Sequence, residues 1–143
     1  KKKMTENFKI LAEFIKDMSS ETPNVESYIF VKENITKYQL NIDIQSKPLK
    51  DKMIEVNTTL KFEDKGHNER KSYFEIIYAS IVKINNEVTD KKELEKIILC
   101  DVQNKIYSRL ESAFLNLLHS SGFPEIKFEK KVDFNQLYKQ RAN

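Results

Sequence analysis

Two strictly alternating runs constrain this chain more than anything else in it. Ile54, Val56, Thr58, Leu60 and Phe62 alternate with Glu55, Asn57, Thr59, Lys61 and Glu63, and Tyr38, Leu40, Ile42 and Ile44 alternate with Gln39, Asn41, Asp43 and Gln45. An extended strand sends successive side chains to opposite faces, so each run is predicted to be a half-buried strand with one apolar face. Asp64-Lys65-Gly66-His67 then supplies turn chemistry with a permissive glycine, giving a hairpin into a strand over Lys71 to Ile84. That strand is apolar on both sides, with Tyr73, Ile77, Ala79 and Ile81 opposite Phe74, Ile76, Tyr78, Val82 and Ile84, and only Glu75 and Ser80 interrupt it. A first strand over Asn7 to Ser20 is expected to place Phe8, Ile10, Ala12 and Phe14 on one face and Lys9, Leu11, Glu13 and Ile15 on the other. Four strands joined by short links predict an antiparallel sheet.

From Thr89 the period changes. Thr89 or Asp90 can cap a short helix carrying Leu94, Ile97 and Ile98. Beyond it Val102, Ile106, Leu110, Ala113, Phe114, Leu117 and Leu118 recur at spacings of three and four, which is one apolar stripe on a long helix ending near Ser121. Gly122 stops that helix and Pro124 prevents its resumption. Phe134, Leu137 and Tyr138 mark a short amphipathic terminal helix. The expected class is therefore α+β: a four-stranded antiparallel sheet with one long helix and short flanking helices. Pro23 to Lys37 reads as a linker, unusually apolar for a connection over a surface because it carries Val25, Tyr28, Ile29, Phe30, Val31 and Ile35.

The 143 residues match one domain, with no repeat, low-complexity tract or internal boundary. Residues 1–7 are expected to be a disordered N-terminus, with Met4 as the natural start and Lys1 to Lys3 foreign to it. The formal charge of +3 rests on those three lysines, and without them the balance is zero. The remaining lysines are interspersed with acids, as in Lys91-Lys92-Glu93-Leu94-Glu95-Lys96, which reads as a solvated face and argues against nucleic-acid binding. No stretch approaches the roughly 20 apolar residues a membrane span needs, and Cys100 is the only cysteine. Both readings fit a protein that stays in the cytoplasm. His67 and His119 have no nucleophile or ligand at motif spacing, two glycines cannot build a phosphate cradle, and no metal or cofactor is expected. The chain reads as a binder, not an enzyme.

One ordered set of motifs goes further. Phe14-Ile15-Lys16-Asp17-Met18-Ser19-Ser20-Glu21-Thr22-Pro23-Asn24 near the front, and Gly122-Phe123-Pro124 followed by Val132-Asp133-Phe134-Asn135-Gln136-Leu137-Tyr138 near the back, resemble the bacterial protein-export chaperone family SecB. The resemblance runs from about Phe8 to Arg141 and is weakest between Asn85 and Leu99. It implies a non-enzymatic cytosolic chaperone that holds unfolded secretory preproteins and delivers them to the SecA motor. It also implies a homotetramer, a dimer of dimers, with sheets paired into dimers and helices buried between them. The same resemblance assigns Tyr38, Leu40, Ile42, Tyr107, Phe134 and Leu137 to a groove for unfolded clients, with Tyr28 and Phe30 lining it, and Asp17, Glu21 and Glu75 to SecA docking from the solvent side of the sheet. Asp101, Lys105 and Ile106 depart from the family pattern at positions that bear on the tetramer interface, and the near-neutral charge departs from its usual acidity. Two other readings stay open: a SecB-like chaperone that guards an antitoxin, and a small-molecule-binding α+β domain with a closed pocket in a monomer.

Overall fold

A computed structural model describes residues 7–66 and 72–142, the last two by backbone alone. Lys1 to Lys3, Met4, His67 and Lys71 lie outside the described residues, as does the Arg141 side chain. Strands β1 (Phe8–Glu21), β2 (Gln39–Pro48), β3 (Met53–Glu63) and β4 (Tyr73–Ile84) form one sheet in the order β1-β4-β3-β2. Every neighbouring pair is antiparallel. Helices α1 (Val25–Glu33), α2 (Lys91–Lys96), α3 (Val102–Ser120) and α4 (Phe134–Ala142) complete the α+β fold.

The alternation sorts as expected in the two central strands. Val56, Thr58, Leu60 and Phe62 of β3 and Phe74, Ile76, Tyr78, Val82 and Ile84 of β4 are buried under the helices. Ile106, Leu110, Phe114 and Leu118 of α3, all at or near zero exposure, form the opposing layer. A buried polar pair crosses between the layers: Thr58 Oγ1 donates to Gln103 Oε1 at 3.0 Å, and Gln103 Nε2 donates to Ile98 O at 3.3 Å. The second contact satisfies a carbonyl in the π-helical turn Ile97–Asp101, which joins α2 to α3. The short and long helices predicted separately are thus one continuous path.

β1 departs from its expected faces. Its register against β4 slips between Ile10 and Ala12 and again between Ile15 and Asp17. Each extra residue reverses the alternation. Phe8, Ile10, Glu13, Ile15 and Met18 therefore lie opposite Ile84, Val82, Ser80, Tyr78 and Ile76 on the helix side, while Ala12 and Phe14 oppose Ile81 and Ala79 on the other. The single face Phe8-Ile10-Ala12-Phe14 does not form.

Pro23 to Lys37 is not an open linker either. Asn24 caps α1, its Oδ1 accepting from Ser27 N at 2.8 Å and Ser27 Oγ at 2.9 Å. Val31 seals the inner side at zero exposure, and a 3₁₀ turn, Ile35–Lys37, leads into β2. The helix explains why this stretch is so apolar: it covers one end of the core.

α3 ends in a Schellman turn, with Phe123 N donating to Leu118 O and Gly122 N to His119 O, both at 3.2 Å. Gly122 sits at φ +109°, and a Cβ there would lie 2.6 Å from the Tyr28 ring. Only glycine meets both demands.

Candidate functional site

β2 stands at one margin of the sheet, and its inward face is only half covered. Ile42 and Ile44 point toward the π turn and α4, leaving an opening of about 180 Å³ lined also by Leu99, Phe134, Leu137 and Tyr138. Ile44 and Leu99 continue into a second opening of about 420 Å³ with Ile98, Glu95, Gln45 and Ser46. Phe134 separates the first from a third, also about 420 Å³, between Tyr107 of α3 and the segment carrying Phe128 and Val132. Ile44 and Leu99 join the first two into a crease beside β2, and Phe134 connects it to the third, which is lined also by Asn104, Ser108, Glu111, Glu129 and Lys131.

α4 is held in this crease by its first residue. Asp133 caps the helix, its Oδ1 accepting from Gln136 N at 3.1 Å. Phe134 is 2% exposed and meets Tyr107 edge-on, with ring centroids 5.1 Å apart. Asn135 Oδ1 accepts from the buried Cys100 thiol. Leu137, one turn on, remains 45% exposed. Behind Phe134 the Tyr107 hydroxyl is buried with no hydrogen-bond partner among the described residues, and burial, with the nearby Glu111 charge, raises its pKa. Burial likewise raises the Glu111 carboxyl.

Of the residues assigned to the client groove, Ile42, Tyr107, Phe134 and Leu137 meet in the crease. Leu40 at the start of β2 and Tyr38 just before it lie against the core, with Tyr38 tilted on Phe62 at 5.4 Å, and burial, then the Asp64 charge, raises its hydroxyl pKa. Phe30 packs half-buried on the core. Tyr28 serves elsewhere, as an anchor between α1 and the end of α3. Its hydroxyl donates to Gly122 O at 2.9 Å and its ring stacks on Phe123 at 5.2 Å. Sequence reasoning did not assign Leu99, Phe128 or Val132 to the groove. Ile44 shares the alternation of Leu40 and Ile42, which is a signal for placing it with them; Leu99 has no such signal, because a π turn presents it.

The opposite sheet face carries the second candidate set. Ser19 pairs with Glu75, Asp17 with Ile77 and Glu21 with Tyr73, so all three acids lie on the side away from the helices, on adjoining strands. Glu75 is not solitary. Tyr73 Oη donates to it at 2.5 Å, and Lys61 Nζ, directly across on β3, lies 3.6 Å away. Lys16 similarly pairs with Glu55.

β1, at the other margin, is a long edge strand with Leu11, Phe14, Ile15 and Met18 each about half exposed. It is tied to α3 through Glu13, which accepts from Arg109 Nε at 2.8 Å and Nη2 at 2.6 Å, and from Tyr78 Oη at 2.7 Å. The Arg109 hydrogen bond, reinforced by that of Tyr78 and opposed by partial burial, holds the Glu13 carboxyl below its ordinary 4.5. A depressed carboxylate contributes stability that is fully present above its unfolded pKa and is lost as pH falls through the folded one. Urea unfolding of the native chain and of Arg109→Met should therefore differ most above pH 4.5 and converge below it. Curves that stay parallel down to about pH 2.5 would deny the ion pair this role.

A family model described as Preprotein translocase subunit SecB matches residues 1–143. The chain belongs to the SecB family. SecB proteins are protein-export chaperones and not enzymes, as the motif set implied. The chain is 64% identical over 140 residues to the putative protein-export protein SecB of Pelagibacter ubique, covering 98% of this chain and all of that one. It is 21% identical to the SecB of Mesorhizobium japonicum, covering 92% and 77% of the two chains. Among solved structures, a SecB-like chaperone of Mycobacterium tuberculosis in complex with an antitoxin peptide superposes with a TM-score of 0.63 at 10% identity, covering 87% of this chain and 91% of that one. At that identity the likeness speaks for the fold alone. Among the described residues no helix is long and apolar enough to cross a membrane, and no cluster of His, Cys, Asp and Glu could hold a metal ion.

Proposed function

We propose that the crease beside β2 binds unfolded secretory preproteins and keeps them competent for export in the cytoplasm. The observation that carries this reading is the half-covered inner face of an edge strand, Ile42 and Ile44, opening onto Leu99, Phe134 and Leu137. Apolar burial contributes about 25 cal/mol per Å² whatever the client sequence, and an edge strand adds main-chain hydrogen bonds that are equally tolerant. A folded protein hides the segments such a crease would take.

Delivery to SecA is the second part of the proposal. Asp17, Glu21 and Glu75 share the face opposite the helices, so a cationic surface of the motor could dock there while the client occupies the other side. Self-association is the third. The half-exposed apolar side chains of β1 favour pairing with a second copy along that edge, and Val25 and Ile29, exposed on α1, leave apolar surface for joining two dimers into a tetramer. The 64% identity to a putative protein-export protein SecB favours export over guarding an antitoxin.

Leu137→Asp tests the crease, since Leu137 is half exposed and its loss spares the core. A leucine side chain contributes roughly 1.5–3 kcal/mol when fully buried, so capture of a denatured secretory protein should weaken about tenfold with the oligomer unchanged. Equal affinity, measured by titration calorimetry, would place the client elsewhere.

A further inference from the structure

Glu75 of the acidic set has a lysine beside it in the fold. It is directly opposite Lys61 in the β3–β4 ladder, the two charges are 3.6 Å apart, and the Tyr73 hydroxyl donates to the same carboxylate. The two sides of the pair are unequal. Only 14% of the Glu75 side chain is exposed, against 43% for Lys61. The carboxylate is fixed by strand, neighbour and hydroxyl; the lysine is a long flexible stem whose ammonium can move into water. A carboxylate in a largely apolar strand, mostly withdrawn from solvent, needs a positive neighbour.

We infer that Lys61 is a displaceable counter-ion for Glu75, occupying the place that a cationic group of the docking partner takes on association. This rests on the reading of the outer sheet face as the SecA-docking face, and it adds how that face is tuned. Docking exchanges one cation for another at Glu75 instead of neutralising a bare charge. The lysine thus lowers both the affinity and its dependence on salt. It also accords with the near-zero charge balance of residues 4–143, where acids on this face, Glu55 with Lys16 and Glu75 with Lys61, come with their own cations.

The test measures SecA binding to the full chain, at low and at moderate salt, for Lys61→Gln, Glu75→Gln, the double variant, and Lys83→Gln. Lys83 lies on the same face of β4, eight residues along, where it donates to Asp51 O. From the usual size of a part-exposed ion pair, Lys61→Gln should tighten SecA binding about two- to fivefold and steepen its salt dependence. Glu75→Gln should weaken binding, and Lys61→Gln should have no effect in the Glu75→Gln background. Lys61→Gln with unchanged affinity, beside a weakened Glu75→Gln, overturns the counter-ion role and leaves the docking face standing. Equal tightening by Lys61→Gln and Lys83→Gln overturns it in favour of general charge. If neither Glu75→Gln nor Lys61→Gln alters SecA binding, the docking face itself is misplaced.

Discussion

Phe134→Ala is expected to release α4 from the crease while the sheet and α3 remain folded. The ring is 2% exposed and is the only fully buried side chain that the described part of α4 contributes to the domain. Emptying such a site costs about 3–5 kcal/mol. What remains to hold α4 is slight: Leu137 is half exposed, and the Tyr138 hydroxyl reaches Lys92 O at a long 3.4 Å. A nine-residue helix is not stable by itself in water, so undocking should mean unfolding of α4. Hydrogen exchange would read this directly, with α4 amides losing protection and those of β3 and β4 keeping theirs. Retained protection in α4 would show that contacts such as Asn135 with Cys100 suffice.

A second large effect is expected at the opposite margin. Ile15→Lys combined with Met18→Lys should lower the mass in light scattering to that of two chains or fewer, with the circular dichroism unchanged. Both side chains are 45% exposed on the edge strand, so lysine stems are tolerated in one protomer. Across a strand-paired interface the same ammonium groups would be buried without partners, which costs several kcal/mol each, and charged residues on edge strands are a common way of preventing such pairing. An unchanged mass would remove β1 from the assembly.

How far the fold is legible in the sequence varies from element to element for physical reasons. β2 and β3 obey a period of two because one face of each is turned to the core, β4 is legible as a run apolar on both sides at the centre of the sheet, and Gly122 announces the end of α3 because no other residue accepts its backbone. The faces of β1 are hidden because a bulge adds a residue without any signature in composition; Leu11 and Lys16 look like ordinary strand residues. α1 escapes a pattern reading because Tyr28-Ile29-Phe30-Val31 is a contiguous apolar run without helical spacing, and its one clear signal is the Asn24 cap. At the site, alternation identifies Ile42, and the motif resemblance identifies Tyr107, Phe134 and Leu137. Leu99 stays invisible since a π turn, not a helical period, presents it. Tyr28 is legible as an aromatic in need of cover, but only the fold reveals that the cover is Gly122 and Phe123.

The strand order has a consequence for crowding. With β1 and β2 as the outermost strands, the sheet's two free margins belong to different strands and lie three strand spacings apart, roughly 14 Å. A sister molecule that zips onto one margin extends the sheet away from the other. On the proposal that copies pair along β1 and clients enter beside β2, self-recognition and the reception of strangers would not compete for the same backbone.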